Sequence, residues 1–195
     1  MNRPDAATRQ ARAEEVVERL AGKPIVLVGM MGAGKTTVGR RIATKLSRHF
    51  LDSDEEIEKA AQMSIPEIFE QRGEGEFRAG ETRVIARVLK DHDIVLATGG
   101  GAFVNLETRA LVKDGAISVW LKAEADILFE RVSRRSNRPL LKTPNPRATL
   151  EKLIEERYPI YAEADITVLS RDVPQDVVAH DVIDAVLGYL KRQDR

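Results

Sequence analysis

Residues 24–46 read PIVLVGMMGAGKTTVGRRIATKL and predict a strand, a glycine-rich loop and a helix in direct succession. The first five residues are an apolar run of strand length. After the loop, apolar side chains recur at the four-residue steps of a helix, at Val38, Ile42 and Leu46. Residues 29–36 match the spacing G-x-x-x-x-G-K-T, which is the pattern of a phosphate-binding loop. A glycine-rich turn without a ligand is the simpler alternative, but the predicted strand and helix on either side favour nucleotide binding.

The chemistry of a bound polyphosphate explains why these residue types occur together. Successive backbone N–H groups in such a loop converge on one point and form a concave site for an anion. The first turn of the following helix adds unpaired N–H groups and the positive end of the helix dipole. A side chain at Gly29 or Gly34 would hinder the backbone conformation or the close approach of a phosphate. Lys35 supplies a compact cation for the terminal phosphates, and the Thr36 hydroxyl is a hard oxygen ligand for Mg²⁺.

The composition favours a compact enzyme. The chain has 195 residues, with 31 Lys and Arg balanced by 31 Asp and Glu, so its charge gives no reason to expect nucleic acid or an anionic membrane as partner. It contains no cysteine, which excludes disulfides and thiolate metal sites. No apolar run approaches the roughly 18 residues of a membrane span, and the first residues lack the apolar core of a secretory signal. We expect a cytoplasmic protein and a monomer, in which a helical extension (residues 1–22) precedes a single domain (residues 23–195).

Strand and helix patterns alternate along the chain. Short apolar runs predict five strands, at 24–28, 50–52, 94–97, 117–121 and 166–169. Helix-start signals lie between them, at Ser64–Glu67, Asn105 and Asn145–Pro146, with helix ends near Gly73 and at Gly115. This alternation predicts an α/β fold of three layers, α-β-α, around a five-stranded parallel sheet. Ligands of such sheets bind at the carboxyl ends of the strands.

The phosphate acceptor has to be identified from other parts of the sequence, because the loop also occurs in GTPases and in motor or transport ATPases. The chain has no N-K-x-D motif of the kind that recognises guanine. The strand at 94–97 runs into Gly99, Gly100 and Gly101 instead of the acidic residue that usual ATPases place there. Three consecutive glycines leave bare backbone at the crevice, which suits a small, flat ligand. A mobile strand-to-helix loop explains the triplet equally well.

Two acidic residues follow the second predicted strand. Asp52 and Asp54 are two positions apart, so they lie on one side of an extended strand end. One could serve the metal and the other a hydroxyl group. The alternative is that Asp54 only caps the helix that begins there.

Arginines supply the positive charge that a phosphorylated or acidic ligand needs. Arg78 and Glu81 are three apart on a predicted helix, where the carboxylate can hold the guanidinium in one orientation; an exposed surface pair is the commoner alternative. Residues 133–147 form a basic segment long enough to fold over bound phosphates as a lid, or else a solvated loop. Arg157 lies near a helix end, directly before Tyr158–Pro159.

Taken in order, these motifs resemble the shikimate kinase family. The matching stretches are GMMGAGKTTVGR, FLDSDEEIE, the pattern F…GE..FR..E from Phe69 to Glu81, LATGGGA, RPLL and ER.PIY.E.AD. The similarity extends from about Lys23 to Leu190, which leaves the N-terminal extension outside it. The glycine triplet combined with F-R-x-x-E and R-P-L-L is much more specific than the phosphate loop. The resemblance implies a P-loop NTPase fold of the nucleoside-monophosphate-kinase type.

The resemblance also implies the nucleotide side of the site. The phosphates of ATP would bind to the loop residues Gly32, Ala33, Gly34, Lys35, Thr36 and Thr37. Thr36 would hold Mg²⁺, with Asp52 near it through water. Arg131 would stack on adenine, and Arg138 of the lid would contact ATP and the transferring phosphoryl group. The loop at 170–175 would cover the other face of adenine, although no motif marks it.

On the acceptor side, the resemblance implies that Asp54 binds hydroxyl groups of shikimate and acts as the base. Arg78 and Arg157 would grip the carboxylate, and the backbone of Gly99, Gly100 and Gly101 would line the site. The implied reaction is Mg²⁺-dependent transfer of the ATP γ-phosphoryl group to the 3-hydroxyl of shikimate, giving shikimate 3-phosphate and ADP in aromatic amino-acid biosynthesis. Lys35, Asp54 and Arg138 would be the catalytic residues.

Two alternatives stay open at this point. Kinases of the gluconate type share the phosphate loop and an early D-x-D pattern, but the glycine triplet with EFRAGE fits them poorly. A kinase-like regulatory module without catalysis would lack the lysine, the base or the lid arginine, and all three are present at Lys35, Asp54 and Arg138.

Overall fold

The computed structural model describes residues 5–134 and 143–194 and contains a five-stranded parallel sheet. Its strands are β1 (Ile25–Val28), β2 (His49–Asp52), β3 (Ile94–Ala97), β4 (Ile117–Lys122) and β5 (Ile166–Leu169). Neighbouring strands are parallel throughout, and their order across the sheet is β2-β3-β1-β4-β5. The predicted α/β class and the parallel sheet are confirmed.

The central strand β1 determines where a ligand can enter. All four of its residues are buried, and Ile25 lies level with Val95 of β3 and Ile117 of β4. The strand order reverses here, because β3 and β2 lie on one side of β1 and β4 and β5 on the other. Loops that leave the carboxyl ends of such strands diverge, and the crevice between them is where open α/β sheets bind ligands. The predicted phosphate loop follows β1 directly.

Helices cover both faces of the sheet. Those in the described residues are α1 (Ala6–Leu20), α2 (Lys35–Lys45), α3 (Ser53–Ala61), α4 (Ile65–Val88), α5 (Leu106–Gly115), α6 (Ala125–Ser133), α7 (Pro146–Tyr161) and α8 (Gln175–Gln193), with a 3₁₀ turn at Ala102–Val104. They form two contact groups: α1, α2 and α8 pack together, and α3 to α7 pack together around the 3₁₀ turn. The three-layer prediction is confirmed. None of the helices seen in residues 5–134 and 143–194 is long and apolar enough to cross a membrane.

The predicted helix-start signals are confirmed. At the start of α4 the Ser64 side chain accepts from the Glu67 N–H, and the Glu67 carboxylate accepts from the Ser64 N–H. Asn105 and Asn145 cap α5 and α7 with their side-chain oxygens. The path of α4 is interrupted at Gly73 (φ 79°, ψ 171°), where its first segment was predicted to end. The second segment of α4 therefore takes its own direction, and its first turns, with Arg78 and Glu81, lie beside the glycines that follow β3.

The N-terminal helix α1 lies along α8. Val16 of α1 is fully buried. Ion pairs also link the two helices. Arg12 pairs with Asp184 at 2.8 Å, and Glu15 pairs with Lys191 at 2.9 Å. Because both pairs are partly exposed, the burial of apolar side chains contributes more to this contact than the ion pairs do.

Candidate active site

A cavity of about 450 Å³ opens at the carboxyl ends of β1, β2 and β3. Its wall contains predicted site residues from four separate stretches: Gly32, Gly34, Lys35, Thr36, Thr37, Asp52, Asp54, Gly99, Gly100 and Arg131. Four further wall residues, Met31, Thr98, Arg134 and Gln175, were not predicted individually, although Arg134 belongs to the predicted lid segment and Gln175 to the predicted adenine loop at 170–175. The loop after β1, the end of β2 and the glycine triplet after β3 thus surround one space.

The phosphate loop orients Lys35 within this cavity. The Lys35 Nζ donates to the backbone oxygens of Gly29 at 2.7 Å and Met30 at 2.9 Å, and its side chain is buried. Gly34 precedes α2 with φ 92°, and a Cβ added there would lie 2.7 Å from Oε1 of Gln175. The left-handed backbone therefore favours glycine, and a Cβ would in addition displace the end of the Gln175 side chain. Because the first turn of α2 lines the cavity, its N–H groups and the positive end of its dipole are available to an anion.

The Thr36 hydroxyl and the Asp52 carboxylate lie next to each other in the cavity wall. The Thr36 Oγ1 donates to Oδ2 of Asp52 at 2.8 Å, and Oδ1 of Asp52 accepts from the N–H of Asp54 at 3.1 Å. Asp52 therefore caps α3, and Asp54 lies in the first turn of that helix. The alternative that Asp54 is the cap is wrong, and so is the expectation that both acids extend from one strand, because the chain turns into a helix at Ser53. Two hard oxygen groups this close, in a wall that also contains the predicted phosphate loop, fit the way Mg²⁺ is held by few protein ligands.

Arg78 and Glu81 form a semi-buried pair beside the glycine triplet. The Arg78 Nη1 donates to Oε2 of Glu81 at 2.7 Å, and the Glu81 side chain is only 1% exposed. The alternative of a surface pair is wrong. Burial raises the pKa of Glu81 above its ordinary value, even though Arg78 favours the charged form. The other oxygen, Oε1, accepts no hydrogen bond from the described residues, and it faces Gly99.

The glycine triplet is in contact with charged side chains. A Cβ added at Gly99 would lie 2.7 Å from Oδ1 of Asp54, and one added at Gly101 would lie 2.6 Å from Nη1 and Nη2 of Arg78. Arg157 reaches the same loop from α7, where its Nη1 donates to the Gly100 oxygen at 3.3 Å. The predicted acceptor residues, which are far apart in sequence, are therefore neighbours around three consecutive peptides.

Arg131 and Gln175 form the far side of the cavity wall. The Arg131 guanidinium donates to Oγ of Ser170 at 2.9 Å and to the Arg171 oxygen at 2.7 Å, so it ties α6 to the loop after β5. Ser170 in turn donates to the backbone oxygen of Ala33 at 2.8 Å. Gln175 begins α8, and its buried Oε1 has no hydrogen-bond partner in the described part of the chain. No sequence signal distinguished Gln175 from other polar residues of that loop.

The remaining predicted site residue, Arg138, lies outside the described residues, as do residues 135–142 of the predicted lid. Of the segment 133–147, the described part contains the end of α6 and the start of α7.

Comparison with known proteins identifies the family. The shikimate kinase family profile matches residues 31–187. The chain belongs to the shikimate kinase family. The shikimate kinase of Rhodopseudomonas palustris is 56% identical over 185 residues, which cover 95% of this chain and 91% of that relative. The shikimate kinase of Rhizobium leguminosarum is 51% identical over 191 residues, with coverage of 98% and 97%.

Solved structures agree with this assignment. The shikimate kinase of Acinetobacter baumannii in complex with shikimate superimposes with a TM-score of 0.83 at 40% identity, over 88% of this chain and 97% of that structure. A gluconokinase from Sinorhizobium meliloti superimposes with a TM-score of 0.55 at 18% identity, over 88% of this chain and 93% of that one. At this low identity, the similarity to the gluconokinase shows only that the two proteins share a fold. The P-loop kinase fold that the sequence predicted is thus confirmed.

Proposed function

We propose that this protein transfers the γ-phosphoryl group of ATP to the 3-hydroxyl of shikimate, with Mg²⁺ as cofactor, and releases shikimate 3-phosphate and ADP. The observation that carries the proposal is the meeting of two half-sites in one cavity. Lys35 and Thr36 represent the phosphate-donor half, and Asp54 and Gly99 represent the acceptor half. Phosphoryl transfer depends mainly on aligning donor and acceptor and on stabilising charge, so this juxtaposition is the essential requirement.

On the donor side, we assign the phosphates to the backbone N–H groups of the loop, to the first turn of α2 and to Lys35. The loop residues in question are Gly32, Ala33, Gly34, Lys35, Thr36 and Thr37. Thr36 and Asp52 would hold Mg²⁺, which neutralises phosphate charge when bound. We assign Arg131 to the adenine base, because it connects the phosphate loop region with the loop after β5. The role of Arg138 stays a prediction.

On the acceptor side, we assign the carboxylate of shikimate to Arg78 and Arg157. A guanidinium presents a planar fork of donors that matches a carboxylate, and two of them converge on the glycine triplet. Glu81 fixes the orientation of Arg78 before substrate arrives. The backbone of Gly99, Gly100 and Gly101 would line the ring-binding space, with the Gly99 N–H held by the hydroxyl of Ser53 at 2.9 Å.

Asp54 is our candidate for the base. Its carboxylate lies against Gly99, between the phosphate loop and the arginine pair, where a hydroxyl group of the acceptor would enter. In a loose transition state the base mainly orients the hydroxyl and accepts its proton late. At the same time, the Lys35 cation stabilises the negative charge of the phosphoryl group that is being transferred.

Turnover with a panel of hydroxy acids tests the proposal. ATP consumption would be followed by coupled release of ADP with shikimate, with gluconate and with the shikimate analogue whose carboxylate is reduced to an alcohol. We expect turnover with shikimate, none with gluconate, and a loss of about 10²-fold or more in kcat/KM for the alcohol, since two cations would lose their anionic partner. Preferential turnover of gluconate would replace the proposal by the sugar-acid kinase alternative. A monomeric state and a cytoplasmic location stay predictions from the sequence.

A further inference from the structure

Tyr161 lies behind the glycine triplet and has no role in the function proposed so far. It is the last residue of α7, its side chain is fully buried, and its hydroxyl donates to the backbone oxygen of Gly100. The same hydroxyl lies 3.9 Å from the Sδ of Met30 in the phosphate loop. A buried hydroxyl at this place therefore touches both halves of the site.

Arg157 donates to the same oxygen from one helical turn earlier on α7. Its distance of 3.3 Å is long for a charged donor, and we assigned this guanidinium to the carboxylate of the substrate. When Arg157 turns to that carboxylate, the Gly100 oxygen retains one donor from α7, which is Tyr161.

The surroundings of Tyr161 keep its hydroxyl in one position and in one protonation state. Its ring contacts the rings of Trp120 and Tyr158, with centroid distances of 6.0 Å and 6.5 Å. Burial raises the pKa of Tyr161 to about 12, so the phenol is a neutral donor throughout the pH range of a kinase assay.

Gly100 is the peptide that joins the acceptor half of the site to the phosphate loop. A Cβ added there would lie 3.5 Å from the backbone nitrogen of Met31 and 3.9 Å from Nη1 of Arg157. A shift of the Gly100 peptide would therefore alter the spacing between the acceptor and the phosphates, and reactions of this kind lose rate steeply when alignment is lost.

We propose that Tyr161 is a positioning residue for the acceptor: its hydroxyl fixes the Gly100 peptide so that the triplet and Arg157 present a constant surface to shikimate. The inference rests on the proposed function. It differs from a purely structural role because its effect should appear in shikimate kinetics and not in ATP binding.

The test compares Tyr161→Phe with Tyr158→Phe. Both tyrosines belong to α7 and to the same ring cluster, and each hydroxyl donates to a backbone oxygen, that of Gly100 for Tyr161 and that of Ala123 for Tyr158. Each variant thus loses one hydroxyl and its hydrogen bond to a backbone oxygen, but Ala123 does not line the cavity. Steady-state kinetics with each substrate varied and thermal denaturation with and without shikimate would be measured for both variants.

We expect Tyr161→Phe to lower kcat/KM for shikimate about tenfold, the order of one buried hydrogen bond, while its KM for ATP stays within about twofold of the wild-type value. The thermal stabilisation by added shikimate should shrink in parallel. Tyr158→Phe should also lose thermal stability, because its hydrogen bond to Ala123 is removed, but it should keep wild-type shikimate kinetics.

Three results would overturn the inference. Wild-type shikimate kinetics in Tyr161→Phe, an equal loss in both variants, or a Tyr161→Phe protein that no longer folds would each assign Tyr161 to structure alone. Failure of the wild-type protein to phosphorylate shikimate would instead overturn the proposed function, and the inference with it.

Discussion

Replacement of Gly101 by alanine is the sharpest test of the carboxylate clamp. The added Cβ would lie 2.6 Å from both terminal nitrogens of Arg78, and ordinary contacts begin at about 3.4 Å, so the guanidinium has to retreat by roughly 0.8 Å. Glu81 holds it at 2.7 Å, so this hydrogen bond lengthens or breaks as the guanidinium moves. A hydrogen bond to a charged group contributes roughly 1.5–3 kcal/mol, which corresponds to a loss of about 10- to 150-fold in kcat/KM for shikimate.

The assay is steady-state kinetics with shikimate varied at saturating ATP and then with ATP varied at saturating shikimate. Gly101→Ala should raise the KM for shikimate and leave that for ATP unchanged, because neither Gly101 nor Arg78 lines the cavity that contains the phosphate loop. Gly115→Ala is the matched control, since its Cβ would meet only the side chain of Leu89, at 3.9 Å. Wild-type shikimate kinetics in Gly101→Ala would refute the clamp geometry. An equal rise of both KM values would show that the substitution acts through the fold.

Three further substitutions test single residues. Lys35→Met should fold normally and lose about 10²- to 10³-fold in kcat, because one preorganised cation facing developing charge contributes roughly 3–4 kcal/mol; near-normal turnover would remove the lysine from the mechanism. Asp54→Asn should lower kcat by about 10²-fold or more, and a loss confined to shikimate KM would make Asp54 a binding residue and not the base. Glu81→Gln should lower kcat/KM for shikimate, because Arg78 loses its counter-charge. Since burial raises the pKa of Glu81, the folded protein binds a proton there more readily than the unfolded chain, and this contribution to stability is lost as pH rises through the folded pKa. The melting temperature of the Gln variant, relative to wild type, should therefore be higher at pH 8 than at pH 5, and a constant difference would contradict the raised pKa.

The elements of the fold could be predicted because local signals determined them. Strand-length apolar runs matched all five strands to within one or two residues, and side-chain caps marked helix starts such as Ser64 and Asn105. The interruption of α4 was also predicted, because glycine commonly ends a helix, and Gly73 has a positive φ there. The order of strands was not predicted, since it depends on contacts between distant segments.

Burial was the property that the sequence could not supply. Arg78 and Glu81 have the spacing of an ordinary surface pair, and only the packing of α4 against the glycine triplet makes Glu81 almost inaccessible. The same holds for Gln175, which is one polar residue among several until α8 brings it against Gly34. Asp54 was expected either on a strand end or as the cap of the next helix, and the sequence did not show that α3 begins one residue earlier, at Ser53, with Asp52 as its cap.

The glycine triplet has a different physical cause from the one the sequence suggested. Bare backbone was expected to serve a flat ligand, and Gly99 and Gly100 do line the cavity. At Gly99 and Gly101, however, the space of a side chain is already taken by protein groups, the Asp54 carboxylate and the Arg78 guanidinium. Glycine at these two positions allows an acid and a cation to approach the backbone of one short loop, where a Cβ would displace each side chain. Only Gly100 leaves its side-chain space open at ordinary contact distance, and its peptide is the one that α7 holds through the carbonyl. We therefore expect the triplet to act as a spacer that sets the distance between the candidate base and the proposed carboxylate clamp, and with it the size of the acceptor that fits.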